Sequence, residues 1–154
     1  MPEHLHLDRF VPYRLAVLTN IVSLSLATTY EQEFSLTIPE WRVLAVLARY
    51  PNLSGMEVSE RAAMDKVAVS RAVQSLVTAK RVVRTHDKGD RRRTLLRLSP
   101  AGRSVYTRAA PLALRYEKSL LNTLSSADKR LLSRLIEQLI EQARQIDDND
   151  IVKR

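Results

Sequence analysis

The polar side chains best suited to binding chemistry lie within residues 65 to 79. Val69, Val73 and Leu76 recur at three- and four-residue spacing, which predicts a helix with one buried face. The opposite face then carries Lys66, Ser70, Arg71 and Gln74. An arginine on an exposed helix can donate two hydrogen bonds to guanine O6 and N7. These residue types at this spacing therefore predict a helix that lies in the major groove of DNA.

A basic turn follows this helix and contains three consecutive arginines, Arg91 to Arg93. Short apolar segments on either side of it, residues 82–83 and 95–98, predict two strands. A helix, a strand, a basic turn and a second strand are the order of a helix-turn-helix with a β-hairpin wing. A narrow minor groove attracts arginine side chains by its negative potential, which makes the wing a second predicted DNA contact.

Each polar residue of this segment has a specific predicted role. Arg71 is the first candidate for base recognition, while Ser70 and Gln74 are candidates for contacts with phosphate or adenine. Lys66 and Ser54 fall near helix N-termini, which favour phosphate. The alternative for Arg71 is a solvated surface charge, and the arginines of the turn could equally be a solvated charge run.

Positive charge is concentrated in the same region. Residues 54–104 contain 12 basic and 5 acidic residues, a net charge of +7 within a chain of net charge +8. Residues 1–53 carry −1 and residues 105–154 carry +2. A basic middle between nearly neutral flanks favours a polyanionic partner, with solubility as the alternative explanation.

Capping pairs and prolines mark the helices that must position these residues. Thr37 with Glu40 predicts the start of a helix over residues 39–49, and Ser54 with Glu57 predicts a helix to about Ala62. Ser99 and Pro100 begin another helix, predicted to reach about Leu124 with a kink at Pro111. A first helix over residues 8–33 and a last helix, capped by Ser125 and Asp128, complete the pattern.

The predicted fold is mostly α with a small β-wing. Residues 36–99 form a winged helix-turn-helix, and residues 8–33 and 100–146 form a helical dimerisation region, followed by a frayed tail over residues 147–154. The terminal helices are too apolar for one copy to cover them. A two-fold homodimer would bury them and present two winged helices to two half-sites.

Composition excludes several classes of function. The chain has no cysteine, which rules out disulfides, thiolate zinc sites and cysteine-based redox sensing. It shows no glycine-rich phosphate loop, nucleophile motif or paired carboxylates in an apolar setting, so we expect neither an enzyme nor a cofactor. His4 and His6 lack further ligands, so no metal site is expected.

The N-terminal half of the chain indicates where in the cell the protein is expected. No signal peptide is visible, and the apolar stretch Leu15 to Thr29 is shorter than a membrane span and is interrupted by polar residues. We therefore expect a soluble, cytoplasmic protein without a membrane partner.

The chain resembles the MarR family of bacterial transcription regulators over residues 8 to 146. The resemblance rests on five segments in fixed order: LTIPEWRVL (36–44), VSRAVQSL (69–76), RVVRT (81–85), DRR (90–92) and LSPAG (98–102). It implies a homodimer that binds a palindromic operator on double-stranded DNA, usually as a repressor. It also implies release of DNA when a small aromatic or phenolic compound binds between the dimer region and the winged helix.

The resemblance assigns roles within the wing. It implies that one arginine enters the minor groove while another pairs with an aspartate to hold the turn. We favour Arg91 as the groove residue and Arg92 as the partner of Asp90 or Asp87, although the sequence does not separate them. Arg93 begins the return strand and is a candidate for phosphate contact.

Candidate effector residues lie on the helices that would frame such a pocket. They are Tyr13, Asn20, Trp41, Arg42, Tyr106, Arg115 and Tyr116. An aromatic wall with an arginine suits an aromatic carboxylate. Trp41 is nonetheless at least as well explained as a core residue, and Arg42 as a structural ion pair.

The sequence departs from the family pattern at two places. Family members often have glycine where Lys80 or Arg81 falls, so a non-glycine residue must adopt a left-handed or altered helix cap there. Pro111 is the second departure and could reshape the adjacent pocket.

Two other functions remain open. A winged helix can serve as a protein–protein interaction module, although that role has no need of three consecutive arginines. A non-specific architectural DNA binder would show steep salt dependence with little sequence preference.

Overall fold

The structure, a computed structural model, describes residues 4 to 146. A single 3-10 turn, Leu7–Arg9, precedes six α-helices and one hairpin. The elements are α1 (Val11–Phe34), α2 (Ile38–Arg49), α3 (Gly55–Ala62), α4 (Lys66–Thr78), β1 (Val82–His86), β2 (Thr94–Leu98), α5 (Pro100–Leu120) and α6 (Ser126–Gln145). The predicted fold class, mostly α with a small β-wing, is confirmed. The predicted frayed tail, 147–154, lies outside the described residues.

Local capping determines where the helices of the winged helix begin. The side chains of Thr37 and Ser54 each accept a hydrogen bond from the backbone N–H three residues on. The carboxylates of Glu40 and Glu57 in turn accept from the backbone N–H of Thr37 and Ser54. Each pair satisfies two of the donors left free at a helix N-terminus. Both predicted capping boxes are therefore present.

The core of this region lies between α2, α4 and the hairpin. Val43 and Leu47 of α2 are fully buried, and Leu76 of α4 is 1% exposed. Leu96 of β2 closes the same cluster and also bridges to Leu53, through backbone hydrogen bonds of 3.2 and 2.7 Å. The helix that carries the polar face is thus held by its apolar side against α2 and the wing.

The hairpin is longer than predicted. β1 and β2 pair antiparallel from Val82 opposite Leu98 to His86 opposite Thr94. The sequence indicated a first strand of only residues 82–83, because the polar residues 84–86 obscured it. The backbone hydrogen bonds to β2 extend the first strand to His86, although residues 84–86 show no alternation of apolar and polar side chains.

The end of α4 carries the altered cap that the sequence required. Lys80 has φ 58°, in the left-handed region. Arg81 donates its backbone N–H to the Leu76 carbonyl at 2.8 Å, and Lys80 donates to Val77 at 2.9 Å. These two bonds form a Schellman motif in which lysine stands at the position that usually holds glycine.

The first turn of α5 packs directly on this cap. The Ser99 hydroxyl donates to the Lys80 carbonyl at 2.7 Å and accepts from the Gly102 backbone N–H at 2.9 Å. A Cβ on Gly102 would overlap the Arg81 carbonyl oxygen. The LSPAG segment is therefore a joint between the end of α4 and the start of α5, and it needs glycine for close approach.

The chain divides into two compact units, Met1–Ala113 and Leu114–Arg154. The second unit contains the end of α5 and α6. Helix α5 ends at Leu120 rather than at the predicted Leu124, because residues 121–123 form turns before the Ser125 cap. The helix continues through Pro111 without a break.

Helix α1 corrects one expectation from the sequence. It spans 24 residues and is long and apolar enough to cross a membrane by length and composition alone. The stretch Leu15 to Thr29 is shorter than a membrane span, but the helix extends beyond it on both sides, from Val11 to Phe34. A core helix of a soluble protein passes the same test.

Candidate nucleic-acid interface

Helix α4 presents an exposed polar face. Ser70, Arg71 and Gln74 are exposed, while Val69 and Val73 on the opposite side are 2% and 4% exposed. Asp65 starts the helix by accepting from the Ala68 backbone N–H at 2.9 Å. The buried side fixes the rotation of α4, and this directs the predicted base-reading residues outward.

Two predicted phosphate contacts lie at the start of helices. Ser54 is half-buried at the cap of α3, where its hydroxyl oxygen accepts from the Glu57 backbone N–H at 3.3 Å. Lys66 is exposed as the first residue of α4. Both positions lie at the positive end of a helix dipole, which attracts anions.

A groove of about 450 Å³ separates α3 and α4 from the wing. Lys66 and Ser70 lie on one side of it, and Arg84 and Thr94 of the hairpin lie on the other. Arg84 donates from Nη2 to Gln74 Oε1 at 3.1 Å. Arg84 was not among the predicted site residues, and its only signal in the sequence was a positive charge directly after the predicted first strand, residues 82–83.

The wing turn is built on its two aspartates. Asp87 Oδ1 accepts from the Gly89 backbone N–H at 2.9 Å, and Asp90 Oδ1 accepts from the Arg92 backbone N–H at 3.0 Å. Side chains that bond the backbone two residues on are a common way to close a turn. Asp87 and Asp90 therefore organise the turn through its backbone.

The arginine that pairs with acidic side chains is Arg93 rather than Arg92. Arg93 Nη2 lies 2.8 Å from Glu57 Oε2, and its Nη1 lies 3.9 Å from Asp87 Oδ2. Arg92 contributes its backbone N–H to Asp90 and not its guanidinium. The prediction that Arg92 is the partner is wrong, because residue 93, at the start of the return strand, is the one brought beside α3.

Glu57 joins the start of α3 to the base of the wing. Hydrogen bonds with Ser54 and then with Arg93 lower the pKa of this carboxyl from 4.5 to about 2. The side chain is thus ionised at physiological pH while it caps a helix and holds an arginine. Arg91 and Arg92 are exposed, and their guanidinium groups make no ion pair within residues 4–146.

The candidate effector residues are distributed over both units of the chain. Trp41 stacks on Tyr106 with ring centroids 5.6 Å apart, and its other neighbour is Tyr30 at 5.0 Å. Arg42 is half-buried on α2, whereas Tyr13 and Asn20 are exposed on α1. Arg115 and Tyr116 belong to the second unit. Within the first unit, Trp41 and Tyr106 lie together, and both pack against the core.

Tyr30 is a residue that the sequence analysis missed. It is fully buried, and its hydroxyl has no hydrogen-bond partner among the described residues. Burial raises its pKa. Its position four residues after Leu26, on the apolar stripe of α1, was the available signal.

Metal chemistry finds no support in the described part of the chain. Residues 4–146 contain no group of three or more His, Asp or Glu placed to hold a metal ion. His4 and His6 instead line a surface cavity with Phe10.

Comparison with known proteins shows where this arrangement belongs. The model of the MarR family matches residues 34–93, which contain α2, α3, α4 and most of the wing. The crystal structure of a MarR/EmrR family transcriptional regulator from Acinetobacter sp. ADP1 superposes with a TM-score of 0.86 at 30% identity, over 92% of this chain and 100% of that one. The chain belongs to the MarR family of transcriptional regulators.

Two further proteins extend the comparison. The transcriptional regulator HosA of Escherichia coli O127:H6 is 25% identical over 105 residues, which are 68% of this chain and 78% of HosA. The structure of Bordetella bronchiseptica BpsR, described with the regulation of its DNA binding by 6-hydroxynicotinic acid, has a TM-score of 0.79 at 23% identity. It covers 89% of this MarR-family chain and 97% of BpsR, and at this identity it shows a shared fold.

Proposed function

We propose that this MarR-family regulator is a homodimeric repressor that binds a palindromic operator and releases it when a small aromatic or phenolic acid binds. The proposal that the protein binds DNA rests on one observation, the exposed polar face of α4 beside a basic wing. Arg71 and Gln74 face outward from α4, and Arg91 and Arg92 are exposed at the tip of the hairpin.

Each exposed group has a proposed place on DNA. Arg71 donates to a guanine edge in the major groove, with Ser70 beside it on phosphate or a base. Lys66 and Ser54 contact phosphates at the starts of α4 and α3. Arg91 enters the minor groove, while Arg92 and Arg93 contribute positive charge near phosphate.

Apolar exposure supports the homodimer. In the first unit, Leu18, Ile21 and Leu24 of α1 are 49%, 57% and 73% exposed. In the second unit, Leu135 and Leu139 of α6 are 45% and 50% exposed. Contiguous apolar surface on long helices is characteristic of an interface, and a second copy of the chain offers matching surface.

The aromatic stack supports an aromatic effector. Tyr30, Trp41 and Tyr106 form an aromatic stack, and the buried Tyr30 hydroxyl has no hydrogen-bond partner within residues 4–146, so a ligand that donated or accepted there would satisfy it. BpsR, whose DNA binding is regulated by 6-hydroxynicotinic acid, shares the fold. We infer that an aryl carboxylate acts here and that the protein works in the cytoplasm, without catalytic activity.

The first experiment measures binding to DNA from upstream of the protein's own gene and to scrambled DNA, by fluorescence anisotropy across a salt series. We expect tight, sequence-selective binding by a species of twice the chain mass, weakened by addition of an aryl carboxylate. Equal binding to both DNAs that vanishes with salt would favour an architectural binder. No binding to either would favour a protein–protein interaction module.

Arg71→Ala tests the recognition role within the same assay. We expect discrimination between operator and scrambled DNA to fall by about 1–3 kcal/mol, because a bidentate contact to guanine is lost. Discrimination equal to that of the unmodified protein would remove Arg71 from base recognition.

A further inference from the structure

We propose that Gln74 recognises guanine through its side-chain NH₂ group, and that Arg84 of the wing is the positioning residue that turns the amide for this purpose. The proposal rests on the proposed DNA-binding mode of α4 and deepens it. It starts from the 3.1 Å hydrogen bond between Arg84 Nη2 and Gln74 Oε1.

The chemistry of the two groups determines which end of the amide faces the wing. A guanidinium has only donors, so the atom it meets on Gln74 must be the carbonyl oxygen. The hydrogen bond is charge-assisted, which favours this orientation over the flipped one. The NH₂ group, with its two donors, is then the end of the side chain left for DNA.

The fold keeps Arg84 in place for this contact. Its backbone lies in the paired part of β1, opposite Leu96, and Leu96 is 3% exposed in the core. Gln74 lies three residues after Arg71 on the exposed face of α4. Arg84 is therefore anchored through its buried partner on β2, and Gln74 through the buried face of α4, although both side chains are exposed.

The orientation has a consequence for base preference. Glutamine binds adenine through both amide ends, accepting from N6 and donating to N7. An amide whose oxygen is turned to the wing cannot place both ends in the plane of an adenine. Guanine presents two adjacent acceptors, O6 and N7, and an NH₂ group can donate to them. Gln74 is thus directed away from adenine, the base it would otherwise favour.

The test measures binding of the full-length protein to an operator series in which each base pair of one half-site is replaced by the other three. The position read by Gln74 is the one whose preference disappears in Gln74→Ala. At that position we expect the unmodified protein to prefer guanine over adenine by about fivefold or more. Replacing that guanine by 7-deazaguanine should reduce the preference, because one acceptor is removed.

Arg84→Ala is the decisive variant. We expect the preference at this position to move from guanine towards adenine, and we expect no such move when Arg84→Ala is combined with Gln74→Ala. Arg97→Ala is the matched control, since it removes one exposed positive charge from the other wing strand. It should weaken binding to all sequences alike and leave the base preference unchanged.

Several results would overturn the proposal. They are a preference of the unmodified protein for adenine, thymine or cytosine at the Gln74 position, an unchanged preference in Arg84→Ala, or the absence of any Gln74-dependent position despite selective operator binding. A protein that binds no DNA selectively would overturn the repressor proposal itself, and this one with it. The operator series therefore separates the two failures.

Discussion

Arg93 and Glu57 are 36 residues apart in sequence, and Arg93 Nη2 lies 2.8 Å from Glu57 Oε2. Glu57 also accepts from the Ser54 backbone N–H at 2.7 Å. One carboxylate thus caps α3 and holds the base of the wing. The relationship links the two elements that flank α4 in the sequence, so the wing angle and the start of α3 depend on the same side chain.

The lowered pKa of Glu57 predicts how stability depends on pH. Its folded-state pKa is about 2, below the ordinary 4.5. The stabilisation is therefore fully present above about pH 4.5, and it is lost as pH falls through about 2. We expect Glu57→Gln, which can still cap a helix, to unfold at a lower temperature than the unmodified protein at pH 7. That difference should shrink below pH 4.5.

Thermal unfolding from pH 7 to pH 2 checks this prediction. Glu60→Gln is the control, because it removes an exposed carboxylate from the same helix. A difference between Glu57→Gln and the unmodified protein that stayed constant down to pH 2 would contradict the role of the ionised carboxylate.

Arg91→Ala tests the exposed tip of the wing. The Arg91 guanidinium makes no ion pair within residues 4–146, so its loss should leave the fold unchanged. We expect weaker operator binding and a decrease of about 1 in the slope of log affinity against log salt, as for one lost phosphate-like contact. Equilibrium binding across a salt series measures both quantities, and an unaltered affinity and slope would show that this arginine does not contact DNA.

Gly102→Ala tests the joint between α4 and α5. The added Cβ would overlap the Arg81 carbonyl oxygen, so the backbone must shift. We expect a loss of about 1–3 kcal/mol in the free energy of unfolding, as for other overpacked sites, measured by urea denaturation. Gly55→Ala is the matched control, because nothing lies within 4 Å of its added Cβ. Equal stability of the two variants would mean that the joint yields without cost.

Lys80→Gly tests the left-handed cap at the end of α4. With φ 58°, lysine bears a conformational cost that glycine does not. We expect the free energy of unfolding to rise by about 1 kcal/mol. Ala79→Gly, one residue earlier at φ −75°, should instead lower it, since glycine there only adds freedom to the unfolded chain. Stabilisation by both substitutions, or by neither, would refute the assigned conformations.

The sequence by itself determined the features that depend on neighbours a few residues away. The capping boxes of Thr37 and Ser54 join residues three apart, and the buried face of α4 follows from spacings of three and four. A left-handed or altered cap was predicted at Lys80 or Arg81 because neither is glycine, and Lys80 is the residue that adopts the left-handed conformation. Such features are local because a helix satisfies its backbone within one turn.

Only the tertiary structure decided which distant side chains meet. The wing was predicted to pair Arg92 with an aspartate, whereas antiparallel pairing of β1 and β2 brings Arg93 to Glu57. The same pairing brings Arg84 to Gln74, and the packing of α1, α2 and α5 brings Tyr30, Trp41 and Tyr106 together. These contacts depend on strand register and helix packing, and both are determined by many buried side chains of the core acting together. The spacing of residues along the chain therefore does not predict any one of these contacts.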